Sequence, residues 1–430
     1  MRTTHARDRT FRRGLCAIAF GALVLRIGTA VFVDRRMGVT GDAVWYLGVA
    51  RLLARGVGFL EPFRYELLHA RRNSASHPPL YPLFLSITDF LGMHSILAHR
   101  IWSCVPGTIT VVLVGLIGRE IAGRRAGLMA AGVAAISIAL VIQDVMLWSE
   151  GFYGMTIAWS VLAAYRYLRA PRSINAVVLT VAITVSALTR AEAALLFVVL
   201  LLPLVLRLGA TARERVRVLG ACVLTAGVLL APWTIYNAGR FEHPVVLSTG
   251  LGGLLGSSNC DITYYGPLTG SWGFLCAKGL PKALPSDESN EDLFFRRVGW
   301  KYVQGHSDRL PVVVAFRVLR TFGFWCPESV TSSDLQLRAI GLDRLGWVAV
   351  AQYWVLLALG LGGGVVLVRR RIPCLPLVAP VFTVLVITIL GYGTMRFRLP
   401  LDVVLPVGVG VILGGRRVTS PAETNALTSR

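Results

Sequence analysis

The chain has 430 residues, 54% of them hydrophobic and only 16% charged, with a mean hydropathy of +0.62; a soluble chain carries about 25% charge. These values exclude an ordinary soluble domain and point to an integral membrane protein. The net charge of +21 does not argue for a nucleic-acid partner, because the arginines fall in short clusters between apolar runs rather than along one polar face.

A hydrocarbon core takes roughly 17 to 25 apolar residues to cross as helix, and about ten stretches approach that length. They are residues 14–33, 95–118, 126–143, 152–168, 174–189, 193–207, 217–235, 346–368, 373–391 and 399–415. The fold class is therefore all-α, a polytopic membrane protein of about ten transmembrane helices. Arg7, Arg9, Arg12 and Arg13 precede the first stretch like a signal-peptide n-region, yet no small-residue cleavage site follows before Asp34, so an uncleaved span is expected. Every second loop is rich in arginine: Arg119 with Arg124 and Arg125, Arg166 with Arg169 and Arg172, Arg207 through Arg217, and Arg369 to Arg371. Such loops face the cytoplasm, which puts both termini inside and residues 34–94 and 237–345 outside. This reading needs residues 174–207 to be two helices around "TRAEA" (189–193) rather than one long span. The expected divisions are a tail (1–13), a transmembrane catalytic module (14–236) with outer loop 34–94, a second extracytoplasmic segment (237–345), C-terminal helices (346–415) and a second tail (416–430).

Along the chain, polar residues gather at the outer ends of the spans. Asp42, after Gly41 in "VTGDAVWYLG", is read either as a helix N-cap or as a general base. Arg51 and Arg55 share a helical face and either snorkel or meet lipid phosphate. His77 precedes Pro78 and Pro79 in "SASHPPLYP", as a turn residue or as a site residue on a loop. The apolar run 79–92 is too short to span and is expected to lie as an interfacial helix. Glu150 in "LWSEGFYG", with Asp144 before it, and the Arg190 and Glu192 of "LTRAEA" stand at outer span ends, as surface charges or as the lining of a cavity. In the second outer segment Cys260 and Cys276 are expected to form a disulfide, with Cys326 a rival partner, and 311–325 is expected to be interfacial, Arg317 and Arg320 on one face. Arg396 and Arg398 stand outside against the charge bias; their planar forks suit phosphate, with Asp402 four residues on to orient or neutralise Arg398. P-loop, G-x-G-x-x-G, H-E-x-x-H and G-x-S-x-G patterns are missing, as is zinc spacing such as C-x-x-C.

Taken in order, "TGDAVWYLGVARLLARGVGF", "HPPLYP", "LIGREIAGRRAGLMAA", "LWSEGFYG", "LTRAEA", "APWTIYNAGRF" and "RFRLPLD" resemble the polytopic glycosyltransferases of the GT-C superfamily, in the branch of protein O-mannosyltransferases and aminoarabinose transferases. The resemblance implies that Asp42 is the catalytic acidic residue of the first outer loop; Glu150 and Glu192, from their places at outer span ends, are the further acidic candidates, for the acceptor or the cavity. It implies that Arg190, Arg240, Arg396 and Arg398 bind the phosphate of a polyprenyl-phosphate sugar. Many relatives carry a second acidic residue directly after the first; Ala43 stands there, so a metal held by such a pair is not expected, and no cofactor is. The expected function is transfer of a sugar from that donor, by in-line attack with inversion, to an envelope protein, lipid or glycan on the extracytoplasmic face of the plasma membrane. The alternative is a transporter or flippase for a lipid-linked sugar, which would place polar groups near the midplane.

Overall fold

In the computed structural model the described residues are 2–209, 211–273, 276, 285–328 and 336–414, without the side chains of residues 2–7. Among them the only extended pairing is an isolated bridge between Leu60 and Asn73; the rest is helix and loop. The first half runs α1 (Arg2–Asp34), α2 (Asp42–Ala54), α3 (Pro62–Leu68), α4 (Leu80–Phe90), α5 (Ile96–Ala122), α6 (Arg124–Ala135), α7 (Ile138–Val145), α8 (Ser149–Arg169) and α9 (Ser173–Ala187). After a 3-10 turn (Ala191–Ala194) and a π turn (Phe197–Leu201) come α10 (Leu202–Leu208), α11 (Ala212–Ala238), α12 (Gly250–Ser258), α13 (Asp261–Tyr264), α14 (Glu288–Gly305), α15 (Leu310–Thr321), α16 (Asp343–Arg369), α17 (Leu375–Leu390) and α18 (Leu399–Gly414).

Among the described residues each of the ten apolar stretches is largely helical, and six helices are long and apolar enough to cross a bilayer. The pair α6 and α7, bent by 56°, makes a seventh if taken together as one broken span, where the sequence suggested one straight helix. Breaking a helix in an apolar interior frees backbone groups that need new partners. Gln352 of α16 supplies them: its side-chain oxygen accepts from the Ile138 N–H at 2.8 Å, and its amide donates to the Ile136 carbonyl at 3.1 Å. Residues 174–207 are two helices, since the segment after the 3-10 turn folds back onto α9.

The core is built around α18, buried along nearly its whole length between α6, α16, α5 and α8. Without a hydrophobic difference between lipid and side chain, helices associate in membranes through small residues that let backbones approach. A Cβ on Gly363 of α16 would lie 2.1 Å from the Gly408 carbonyl of α18, and one on Gly127 of α6 would lie 2.4 Å from the Gly115 carbonyl of α5.

The segments 34–94 and 237–345 pack together. Arg72 pairs with Glu291 and donates to the Ser286 carbonyl, while the Glu288 carboxylate accepts from the Ala75 N–H at 2.8 Å and the Thr249 hydroxyl at 2.5 Å. A disulfide joins Cys260 to Cys276, and Cys326 is outside it. The arginine face of α15 points inward rather than to an interface: Arg317 donates to the Ile389 and Ser258 carbonyls at 2.8 Å each, and Arg320 to Thr269 at 2.7 Å. Arg317 thus fastens the segment 237–345 to the end of α17, and Arg320 ties α15 to the loop at 267–269.

Candidate functional site

The start of α2, the start of α8, the turn after α9 and the turn before α18 meet at one end of the bundle. Gly41, with φ of 57°, holds the N-cap position of α2, and no side chain caps that helix. Asp42 is its first residue, and its carboxylate is not spent on capping: Oδ2 accepts from Arg396 Nη2 at 2.7 Å. The same guanidinium donates through Nε to Glu150 Oε1 at 2.9 Å. Glu150 Oε1 also takes Arg190 Nη1 at 3.0 Å, and Arg190 Nε donates to Glu192 at 2.5 Å. Five charged groups, three carboxylates and two guanidiniums, thus form one chain. Glu150 is 1% exposed, and its second oxygen, Oε2, is buried without a hydrogen-bond partner.

Aromatic side chains enclose the chain of charges. Arg396 lies over Trp148 at 4.4 Å from the ring centre, and Arg190 near Phe397 and Tyr153. Tyr46, one helical turn after Asp42, donates to Ser149 Oγ at 3.1 Å and meets His77 Nδ1 at 3.2 Å. Leu147, fully buried with φ of 59°, makes the sharp turn between α7 and α8 that aims Trp148, Ser149 and Glu150 at this site; such a conformation is uncommon away from glycine.

Protein packed around Asp42 disfavours its charge, although the side chain keeps 43% of its surface open. Arg396 and, further off, Arg190 outweigh that and hold its carboxyl below the usual range, so it is ionised at neutral pH. Burial pushes the His77 imidazole down against the pull of Asp42, leaving a neutral ring that bonds Tyr46. Burial, helped by Asp42, raises the Tyr46 phenol, which stays protonated.

Of the residues singled out in the sequence, Asp42, Glu150, Arg190, Glu192 and Arg396 come together, with His77 beside them through Tyr46. Arg398 turns into the bundle, paired with Asp402 at 3.2 Å and stacked on Tyr353. Arg240 sits elsewhere, bonded to Asn237 at 3.2 Å and lying over Tyr236. Tyr236 and Phe59, whose carbonyl accepts from Arg240, line an apolar cavity of about 470 Å³ with Leu53, Leu80, Leu188 and Trp233. Ala43 is buried among apolar side chains, and among the described residues no three His, Cys, Asp or Glu side chains gather as metal ligands. Sequence reading missed Tyr46 and Ser149; the signal was their position, four residues after Asp42 and next to Glu150.

One charged pair lies deeper. Arg26 of α1 donates to Asp144 of α7 at 2.6 Å, in a niche where a Cβ on Gly107 or Gly151 would strike the carboxylate.

The described residues form an all-helical bundle with several helices long and apolar enough to cross a bilayer, and the chain is a multi-pass membrane protein. The pattern of the family described as dolichyl-phosphate-mannose-protein mannosyltransferase matches residues 76–236, a stretch that holds His77, Glu150, Arg190 and Glu192. The oligosaccharyltransferase of Archaeoglobus fulgidus in the apo form is similar over 97% of this chain and 54% of its own, with 13% identity and a TM-score of 0.54. The same archaeal enzyme, AglB, in complex with an inhibitory peptide and a dolichol-phosphate, is similar over 98% of this chain and 54% of its own, with 14% identity and a TM-score of 0.52. ArnT from Cupriavidus metallidurans bound to undecaprenyl phosphate covers 92% of this chain and 77% of its own, with 16% identity and a TM-score of 0.47. The chain spans about half the length of the archaeal enzyme. No curated protein matches it by sequence.

Proposed function

We propose that this protein transfers a sugar from a polyprenyl-phosphate donor to an envelope acceptor, and that the reaction takes place at the bundle end holding Asp42, on the extracytoplasmic face. The observation that carries the reading is the chain Asp42, Arg396, Glu150, Arg190: an ionised carboxylate set directly against guanidiniums. The acceptor hydroxyl gives its proton to Asp42 while its oxygen bonds the anomeric carbon. The bond from that carbon to the phosphate oxygen breaks, and the electron pair leaves with the polyprenyl phosphate. Arg396 and Arg190 bear the growing phosphate charge, exchanging part of their contact with Glu150 for the phosphate. In-line attack inverts the anomeric centre. The apolar cavity suits the isoprenoid chain: Leu188 on its wall is two residues before Arg190, and Arg240 stands at its edge. AglB, whose fold this chain shares, has been captured with a dolichol-phosphate, which supports a donor of this class. Glu192 and His77 hold Arg190 and Tyr46 in place, and the segment 237–345, joined to the turn before α18 where the Gly393 N–H donates to the Gly270 carbonyl at 2.7 Å, is the natural element to select the acceptor.

Asp42→Asn tests the role of the carboxylate. The change removes the proton acceptor and nearly keeps the shape, so transfer from radiolabelled polyprenyl-phosphate sugars falls about a hundredfold or more, while donor binding and expression stay near wild type. Wild-type transfer by the purified variant would remove Asp42 from the mechanism.

A further inference from the structure

The end of the bundle away from Asp42 carries a second concentration of charge. Between the last turns of α5 and α8 is a cavity of about 240 Å³ lined by Leu116, Arg119, Glu120, Leu162, Arg166 and Arg169. The two leucines stand three and four residues before the arginines on the same helices, one turn deeper in the bundle, and give the cavity an apolar floor under a basic rim. Asp8 of α1 pairs with Arg119 at 2.9 Å and with Arg124 at 3.0 Å, and Glu120 pairs with Arg169 at 3.0 Å. Arg166 is exposed, and among the described residues its side chain has no ion-pair or hydrogen-bond partner. Four guanidiniums thus face two carboxylates, an excess of two positive charges around a concave pocket. Arg166 lies sixteen residues from Glu150 along α8, about 24 Å at 1.5 Å per residue, so the two charged sites occupy opposite interfaces of the bilayer.

Arginines at a span end snorkel to water as a matter of course, but snorkelling alone leaves them spread over an open rim. Here three converge over a pocket between helices. We infer that this pocket binds a phosphate-bearing anion at the membrane surface, with Arg166 and Arg169 gripping the phosphate and Leu116 and Leu162 receiving the apolar part of a lipid. Planar guanidiniums match phosphate oxygens in pairs, and basic pockets between helices are lipid headgroup sites. This site is independent of the transfer reaction.

Native mass spectrometry of the full chain in neutral detergent, with added phosphatidylglycerol or phosphatidylcholine, reads lipid retention directly. Phosphatidylglycerol should be retained about fivefold or more over phosphatidylcholine, and Arg166→Gln with Arg169→Gln should bring that preference down to about one. Arg213→Gln with Arg217→Gln, exposed on α11, should leave it unchanged. A parallel arm with inorganic phosphate separates the sources: a raised thermal midpoint in the wild type but not in the pocket variant, without lipid retention, would assign the site to free phosphate. Equal retention of the two lipids with no response to phosphate, or an unchanged preference in the pocket variant, would overturn the inference. Circular dichroism of the variant checks that both glutamine substitutions leave the fold intact.

Discussion

Asp42 stands alone in its sequence neighbourhood, yet its partner is Arg396, 354 residues away. The sequence makes the carboxylate conspicuous and cannot show what neutralises it, because the contact is made only when α2 and the turn before α18 reach the same end of the bundle. Gly41 caps the helix, which leaves the carboxylate for the site. Arg396 and Arg398 look equivalent in "RFRLP" and are expected to behave differently. Arg396→Gln should raise the donor KM and lower kcat in a folded protein. Arg398→Ala strands Asp402 as a buried charge and should lower stability by about 3 to 5 kcal/mol, measured by unfolding in detergent, with donor KM little changed in the folded fraction. His77 supplies a pH signature. Its pKa is depressed by burial, so the unfolded chain binds the extra proton first as the pH falls. The associated stability is fully present above about pH 6.5, the ordinary imidazole value, and is lost as the pH drops toward the lower folded value. Thermal midpoints between pH 8 and 5 should show this loss in the wild type and show less of it in His77→Gln.

At the level of helices, the apolar stretches were legible because each carries its own signal in length and hydropathy. The break between α6 and α7 was not, since residues 126–143 read as one apolar run and the side chain that stabilises the break, Gln352, belongs to α16. Gln352→Leu should leave the Ile138 N–H and the Ile136 carbonyl without their side-chain partner, read as a lower unfolding midpoint. Arg100, inside the predicted span 95–118, was also silent in the sequence. Buried on α5, it donates to the Val145 carbonyl at 2.8 Å and to the Met37 and Gly38 carbonyls at 3.1 and 3.0 Å. Those carbonyls precede Glu150 and Asp42 by only a few residues, so Arg100 sets the spacing of the two carboxylates that share Arg396. The short helices of the second outer segment escaped prediction for a simpler reason: "GLGGLLGSS" has too little length and too many glycines to announce a helix.

For the molecule as a whole, the alternation of arginine clusters predicts its orientation. Cysteine labelling of intact cells should reach positions near residues 70 and 265 from outside, and positions near 170, 212 and 370 only after the membrane is opened. The Cys260–Cys276 bridge fits that orientation, since an oxidising compartment lets it persist. Non-reducing peptide mapping should recover the linked pair, and Cys276→Ser should cost about 3 kcal/mol on the loop-closure argument.

The close packing of α18 against α16 at Gly408 and Gly363 governs how the protein is supplied. At that contact the two helices meet backbone against backbone, with no room between them for a hydrophilic sugar. On the function proposed above, the donor arrives with its sugar already on the Asp42 side, carried over by a separate translocation step, and the spent lipid phosphate is returned by another. In sealed vesicles with the donor confined to one leaflet, turnover should halt once the leaflet facing Asp42 is exhausted, and should resume when a scramblase is added.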